Sequence, residues 1–206
     1  MWYSLSASVA LLCIASAVHV QSLDLKTAKD QPCFNIPNPK TPILDEKWVH
    51  SINPMYFPVG STNSLYRVAL NVLQKEARDV GFATVYYDAC LKWYMYDNGT
   101  VVSTGFNGLR KEYKTKTLED NPDAFTFVGE GGDKDFYSGT LYTTLTDNKS
   151  FFFATICLKN GEMAWGVAST TPTLTEETKK KVFDHAVSLG FNKEDFTELK
   201  YDTCKN

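Results

Sequence analysis

The chain has 206 residues, 43% hydrophobic and 22% charged, with a formal net charge of −3. That is enough for one domain with a sizeable core. Lys and Glu are mixed along the chain without a basic block, which argues against a nucleic-acid partner.

Leu5 to Ala17 is apolar, uncharged and too short to span a bilayer, and Ala15-Ser16-Ala17 has a small-x-small pattern. Residues 1–17 are therefore read as a signal peptide, although no Lys or Arg precedes the apolar run. No later run is long enough to cross a membrane. The expected mature protein is secreted, as one domain over 18–206. Removing the leader removes Cys13 and leaves Cys33, Cys90, Cys157 and Cys204. An even count in a secreted chain predicts two disulfides, with three pairings open. Asn98-Gly-Thr and Asn148-Lys-Ser are N-glycosylation sequons, and each also suits a turn.

Asp24 to Asp45 is polar and rich in Pro, an extended arm. Lys47 to Ile52 reads as a first strand. Between Ser64 and Val80, Leu65, Ala69, Val72, Leu73, Ala77 and Val80 recur three and four apart. This predicts an amphipathic helix closed by Gly81, inserted after the first strand. From Ala83 the period falls to two, with Val85, Tyr87, Ala89, Leu91, Trp93 and Met95 on one face. Cys90 falls on the other face. Asp97-Asn98-Gly99 is the strongest hairpin signal, with Thr100–Phe106 as partner strand. Further strands are expected at Glu112–Thr117, Ala124–Val128, Gly139–Leu145, Ser150–Cys157 and Glu162–Ala168. Asn121-Pro122 is among the turns expected between them. Thr173-Leu-Thr-Glu176 fits a capping box, Val182, Phe183, Ala186 and Val187 form an apolar helix face, and Gly190 ends the helix. Asp184-His185 would face solvent. About eight strands in a meander suggest a sandwich or an up-and-down barrel, with the terminal helix against its outside.

The layout resembles a lipocalin, of the group containing apolipoprotein D and the insect bilin-binding proteins. Glu46-Lys-Trp48 stands where that family has Gly-x-Trp at the start of its first strand. Leu141 to Cys157, with Thr146-Asp147 at its turn, is similar to the family's long hairpin, and Trp165 to Glu177 to its last strand and the beginning of its helix. The resemblance implies an eight-stranded antiparallel barrel with a C-terminal helix outside, Cys33–Cys157 and Cys90–Cys204 pairing, and Trp165 pointing inward. Two departures concern the closed end. Glu46 replaces the Gly, and Thr170 stands where the family has an Arg stacked over its Trp, so something else must cover Trp48.

A barrel of this size encloses room for one small ligand. His50, Tyr87, Leu91, Trp93, Met95 and Trp165 are the candidate ligand-binding residues. An aromatic lining suits a conjugated or polycyclic molecule: a bilin such as biliverdin, a retinoid, a carotenoid or a lipid. An inward His50 could bond a ligand carbonyl or ligate haem iron, or simply bond neighbouring backbone. No metal site or required cofactor is expected. Enzyme motifs are absent, and Cys90, the one nucleophile candidate, is assigned to a disulfide. The expected function is carriage or sequestration of a hydrophobic ligand. The alternative is a filled barrel that binds another protein through its loops and the Ser64–Val80 helix. Homo-oligomerisation is left open.

Overall fold

The computed structural model describes Ile36 and residues 43–61, 90–105, 110–128, 138–159, 161, 163–202 and 204. The expected leader, Cys33, Tyr87 and the helix expected over 64–80 lie outside them.

Among the described residues the strands form one antiparallel sheet. Its strands are β1 (Met55–Tyr56), β2 (Val59–Gly60), β3 (Lys92–Met95), β4 (Thr100–Thr104), β5 (Arg110–Leu118), β6 (Asn121–Val128), β7 (Gly139–Thr146), β8 (Phe151–Leu158), β9 (Met163–Ser169) and β10 (Thr197–Glu198). β1 and β2 are one strand interrupted at Phe57-Pro58. β1 pairs with β3 on one side and with β9 on the other, so the meander closes into an eight-stranded barrel, with β10 added beside β2. Helices α1 (Glu46–Ser51) and α2 (Glu176–Ser188) complete the described elements.

The first expected strand is corrected. Lys47 to Ile52 belongs to α1, where Asp45 caps the N-terminus by accepting from Lys47 N and Trp48 N at 2.9 and 3.3 Å. Val49 and Ile52, three apart, share one helical face and are buried in the barrel's interior cluster. Trp48 packs on the same cluster and meets Phe152 edge-to-face at 6.4 Å. That ring covers Trp48 where the resemblance implied an arginine.

α1 and the residues before it form the floor. Asp123 accepts from Ile43 N and Leu44 N at 2.8–3.0 Å. Asn148, in the β7–β8 turn, donates from Nδ2 to Ile43 O at 2.7 Å and accepts from Asp45 N at 2.8 Å. His50 lies 3.8 Å from Asp97 in the β3–β4 turn. The floor segment is thus tied to the lower end of three successive hairpins. The other expected turn, Asn121-Pro122, is corrected. Leu118 pairs with Asn121, so Glu119 and Asp120 make the turn, and Asn121 Oδ1 instead accepts from Asp123 N at 3.0 Å.

The β3–β4 hairpin forms as expected. Gly99 has φ +72, and Tyr96 N donates to Thr100 O at 2.9 Å. This is a three-residue loop in which glycine supplies the left-handed position.

The pairing of β1 with β3 is short, with Met55↔Trp93 and Tyr56↔Lys92 in register. The next pair would be Phe57 and Leu91. The Tyr201 hydroxyl stands between them, accepting from Phe57 N at 2.9 Å and donating to Leu91 O at 2.6 Å. Leu199 N donates to Pro58 O at 2.9 Å, and Cys204 is disulfide-bonded to Cys90. The chain after α2 therefore completes the wall. Cys157 is also disulfide-bonded.

Helix α2 begins two residues later than expected. Thr175, not Thr173, is the N-cap, accepting from Thr178 N at 3.2 Å. Leu174 is thereby free to pack on the outer wall. At the other end Gly190 N donates to Val187 O and Phe191 N to Ala186 O, with Gly190 at φ +89, a Schellman closure. Val187 is exposed, so the buried face is narrower than the four expected residues.

Candidate functional site

Register separates the two faces of the wall. Phe152, Ala154 and Ala168 join the interior cluster, with Ile156 against it; Phe151, Phe153, Trp165 and Val167 join a second cluster with Val182 and Ala186 of α2. The pairs Phe152↔Ala168, Ala154↔Gly166 and Ile156↔Ala164 then fix the inner face of β9 as Ala164, Gly166 and Ala168. Trp165 therefore points outward, and the expectation that it lines the barrel is corrected. It stacks on Phe153 at 5.3 Å and meets Phe183 edge-on at 6.1 Å. Large residues alternate with small ones along Ala164-Trp-Gly-Val-Ala168, and the large ones supply the surface that α2 covers.

His185 belongs to the same outer layer. It is half-buried, with Nε2 2.9 Å from Thr144 Oγ1 and its ring edge-on to Phe153 at 4.8 Å. The expectation that it faces solvent is corrected. Burial pushes its imidazole pKa down.

His50 is corrected as well. It sits in the last turn of α1, with Nε2 3.9 Å from Glu46 and Nδ1 3.8 Å from Asp97. Its neighbours are carboxylates at the floor, not the barrel interior. Leu91, Trp93 and Met95 do belong to the interior cluster. The predicted ligand set thus divides three ways. Three members meet inside, two lie elsewhere, and Tyr87 lies outside the described residues.

Inside, one wall is aromatic. Trp93 contacts Phe57 at 4.5 Å and Tyr113 at 6.2 Å between centroids, and Phe125 and Phe127 face the same interior. Elsewhere the inner face is small along β9, with Ala164, Gly166 and Ala168, and Gly60 paired to Gly166; on β8 Ala154 stands between Phe152 and Ile156. Trp93, Met95, Phe125, Phe127 and Ile156 point inward yet keep part of their surface exposed.

Three polar atoms interrupt this lining. Trp93 Nε1, Ser103 Oγ and Thr143 Oγ1 are buried and make no hydrogen bond. Ser103 is the register partner of Trp93, and Thr143 that of Ala154, so both hydroxyls face inward. Neither hydroxyl was among the residues expected to line the site. Ser103 was reachable by counting forward from the Gly99 turn. Thr143 was not, because a register shift between Thr143 and Leu145 breaks the alternation of β7.

The strand order, the closure through β1 and α2 on the outer wall make this a lipocalin-type barrel. No family model matches the chain, and no curated protein matches it. Several solved structures resemble it in shape. Lobster apocrustacyanin A1 is 13% identical with a TM-score of 0.49, over 80% of this chain and 92% of that one. The cockroach allergen Per a 4 is 15% identical with a TM-score of 0.49, over 81% and 94%. A point mutant of LTBP1, in complex with leukotriene C4, is 11% identical with a TM-score of 0.49, over 78% and 89%. At these identities the likeness is one of shape alone. Among the described residues no helix is long and apolar enough to cross a membrane.

Proposed function

We propose that the protein is a secreted carrier or sequestering protein that holds one small hydrophobic ligand inside its barrel, and that it binds without catalysing. The supporting observation is the asymmetry of the inner face. Aromatic side chains on β3, β5 and β6 oppose Ala and Gly on β9 and β2 and Ala154 on β8, and inward residues of the aromatic side remain partly exposed. A flat, apolar molecule gains most from such a lining. A bilin such as biliverdin, another pigment, a retinoid or a lipid meets that description. Native mass spectrometry of the secreted protein, with its absorption spectrum, tests the reading. A bound mass or a visible band supports it, and a colourless protein with no extractable ligand counts against it.

A second reading has its own observation. Trp93 already meets both Phe57 and Tyr113, as it would in a barrel filled by its own rings that binds proteins through its loops. For that reading the same experiment gives an empty barrel, and deleting residues 64–80 abolishes partner binding.

A further inference from the structure

The carrier reading leaves the three unpartnered polar atoms of the inner face without a role. A buried donor or acceptor with no partner carries its desolvation penalty uncompensated. Ser103 is 0% exposed and Thr143 1%. Ala at the first position and Val at the second would fill nearly the same space at no such cost. The hydroxyls sit three strands apart around the barrel, Ser103 on β4 and Thr143 on β7. Trp93 Nε1, a donor only, stands in the residue directly across from Ser103. Val101, Met95, Leu141 and Ala154, inward near them, are apolar.

Resting on the carrier reading, we propose that Ser103 and Thr143, together with Trp93, are ligand-anchoring residues. The ligand class they select is an apolar skeleton bearing oxygen groups at two places, a carbonyl or hydroxyl near Trp93 and Ser103 and another near Thr143. A bare hydrocarbon leaves all three atoms unpaired and is discriminated against. Indole N–H and hydroxyl together accept either kind of oxygen, since a hydroxyl donates or accepts as the ligand requires. All three atoms are closed to water in the ligand-free barrel, so the side chains packed against them part as the ligand enters, and the stability cost of the unpartnered groups is relieved on binding.

The test uses the full mature protein and two variants, Ser103→Ala and Thr143→Val. Thermal unfolding is followed without ligand. Binding of retinol, hexadecanol, palmitate and 4-androstene-3,17-dione is followed by quenching of tryptophan fluorescence. Each variant is expected to unfold at a higher temperature than the parent, because an unsatisfied group is gone. Each is also expected to bind about three- to tenfold more weakly those probes that the parent binds, the loss of one neutral hydrogen bond. A variant that merely damages the fold moves both readouts downward. A lower unfolding temperature, or unchanged affinity for every probe, overturns the assignment of the anchors while leaving the carrier reading standing. A parent protein that binds no probe and carries no ligand when secreted overturns the carrier reading itself.

Discussion

Tyr201→Phe removes one oxygen atom and tests how the barrel is sealed. That oxygen bridges Phe57 N and Leu91 O, the two groups that would otherwise begin the next rung between β1 and β3. The phenylalanine ring still fits among Tyr56, Phe57 and the interior cluster, so packing changes little. Two backbone groups lose their partner. At about 1–3 kcal/mol each, with some relief from water near the surface, the expected loss is about 2–4 kcal/mol. For a domain of this size that lowers Tm by roughly 5–15 °C. Urea and thermal unfolding with the disulfides intact measure it. The pH dependence is a second readout. Burial holds the Tyr201 phenol well above its ordinary range, so the neutral form is favoured in the folded state. The associated stability is fully present below about pH 10 and falls as pH rises beyond it. The variant should lose less stability over that alkaline window than the parent does. A loss under about 0.5 kcal/mol, the range of ordinary surface changes, would refute the idea that the phenol completes the ladder.

The remaining predictions separate the two faces of the wall and its floor. Trp165→Ala should cost about 3–5 kcal/mol through the emptied space beneath α2 and leave ligand affinity nearly unchanged. Trp93→Ala should do the reverse, measured by unfolding and by ligand titration. His185 has a folded pKa below its unfolded value, so its contribution is intact above about pH 6.5 and lost as pH falls from there through the lowered value. His185→Gln should flatten that acid-side slope in denaturant midpoints. Both asparagines are exposed, but Asn148 uses Nδ2 to hold Ile43 O, whereas Asn98 bonds through Oδ1, toward Thr100 N. Enzymatic deglycosylation of the secreted protein should therefore release glycan from Asn98 alone, and Asn148→Ala should cost about 1–2 kcal/mol of stability.

Much of the barrel was legible because period-two stretches were bounded by strong turn residues. The β3–β4 and β7–β8 hairpins centre on Asp97-Asn-Gly99 and Asp147-Asn-Lys149, and both strand pairs lie on the expected segments, although a register shift breaks the alternation of β7. Reading failed where two periods fit one short run. Trp48-Val-His-Ser-Ile52 alternates like a strand, but positions 48, 49 and 52 also make one helical face, and Asp45 decides for the helix. The capping residue of α2 was ambiguous because Thr173 and Thr175 both offer a hydroxyl. Anchoring of Leu174 on the wall chose the later one, and that contact is tertiary. The direction of Trp165 was the costliest error for the site. It followed an expectation carried over from related proteins, while the local alternation of small and large residues already marked which side α2 would need. Tyr201 carried no local signal, since its role depends on two strands far away in sequence.

The order in which these parts are synthesised gives the sealed wall a further consequence. Residues 43–52, which make the floor, leave the ribosome before any strand does, and each hairpin can settle on them as it appears. Tyr201 and Cys204 emerge after all the strands they join. Until then the nascent chain is an open ribbon with its aromatic inner face uncovered, and that interval is when a chaperone, or the cargo itself, has its widest access.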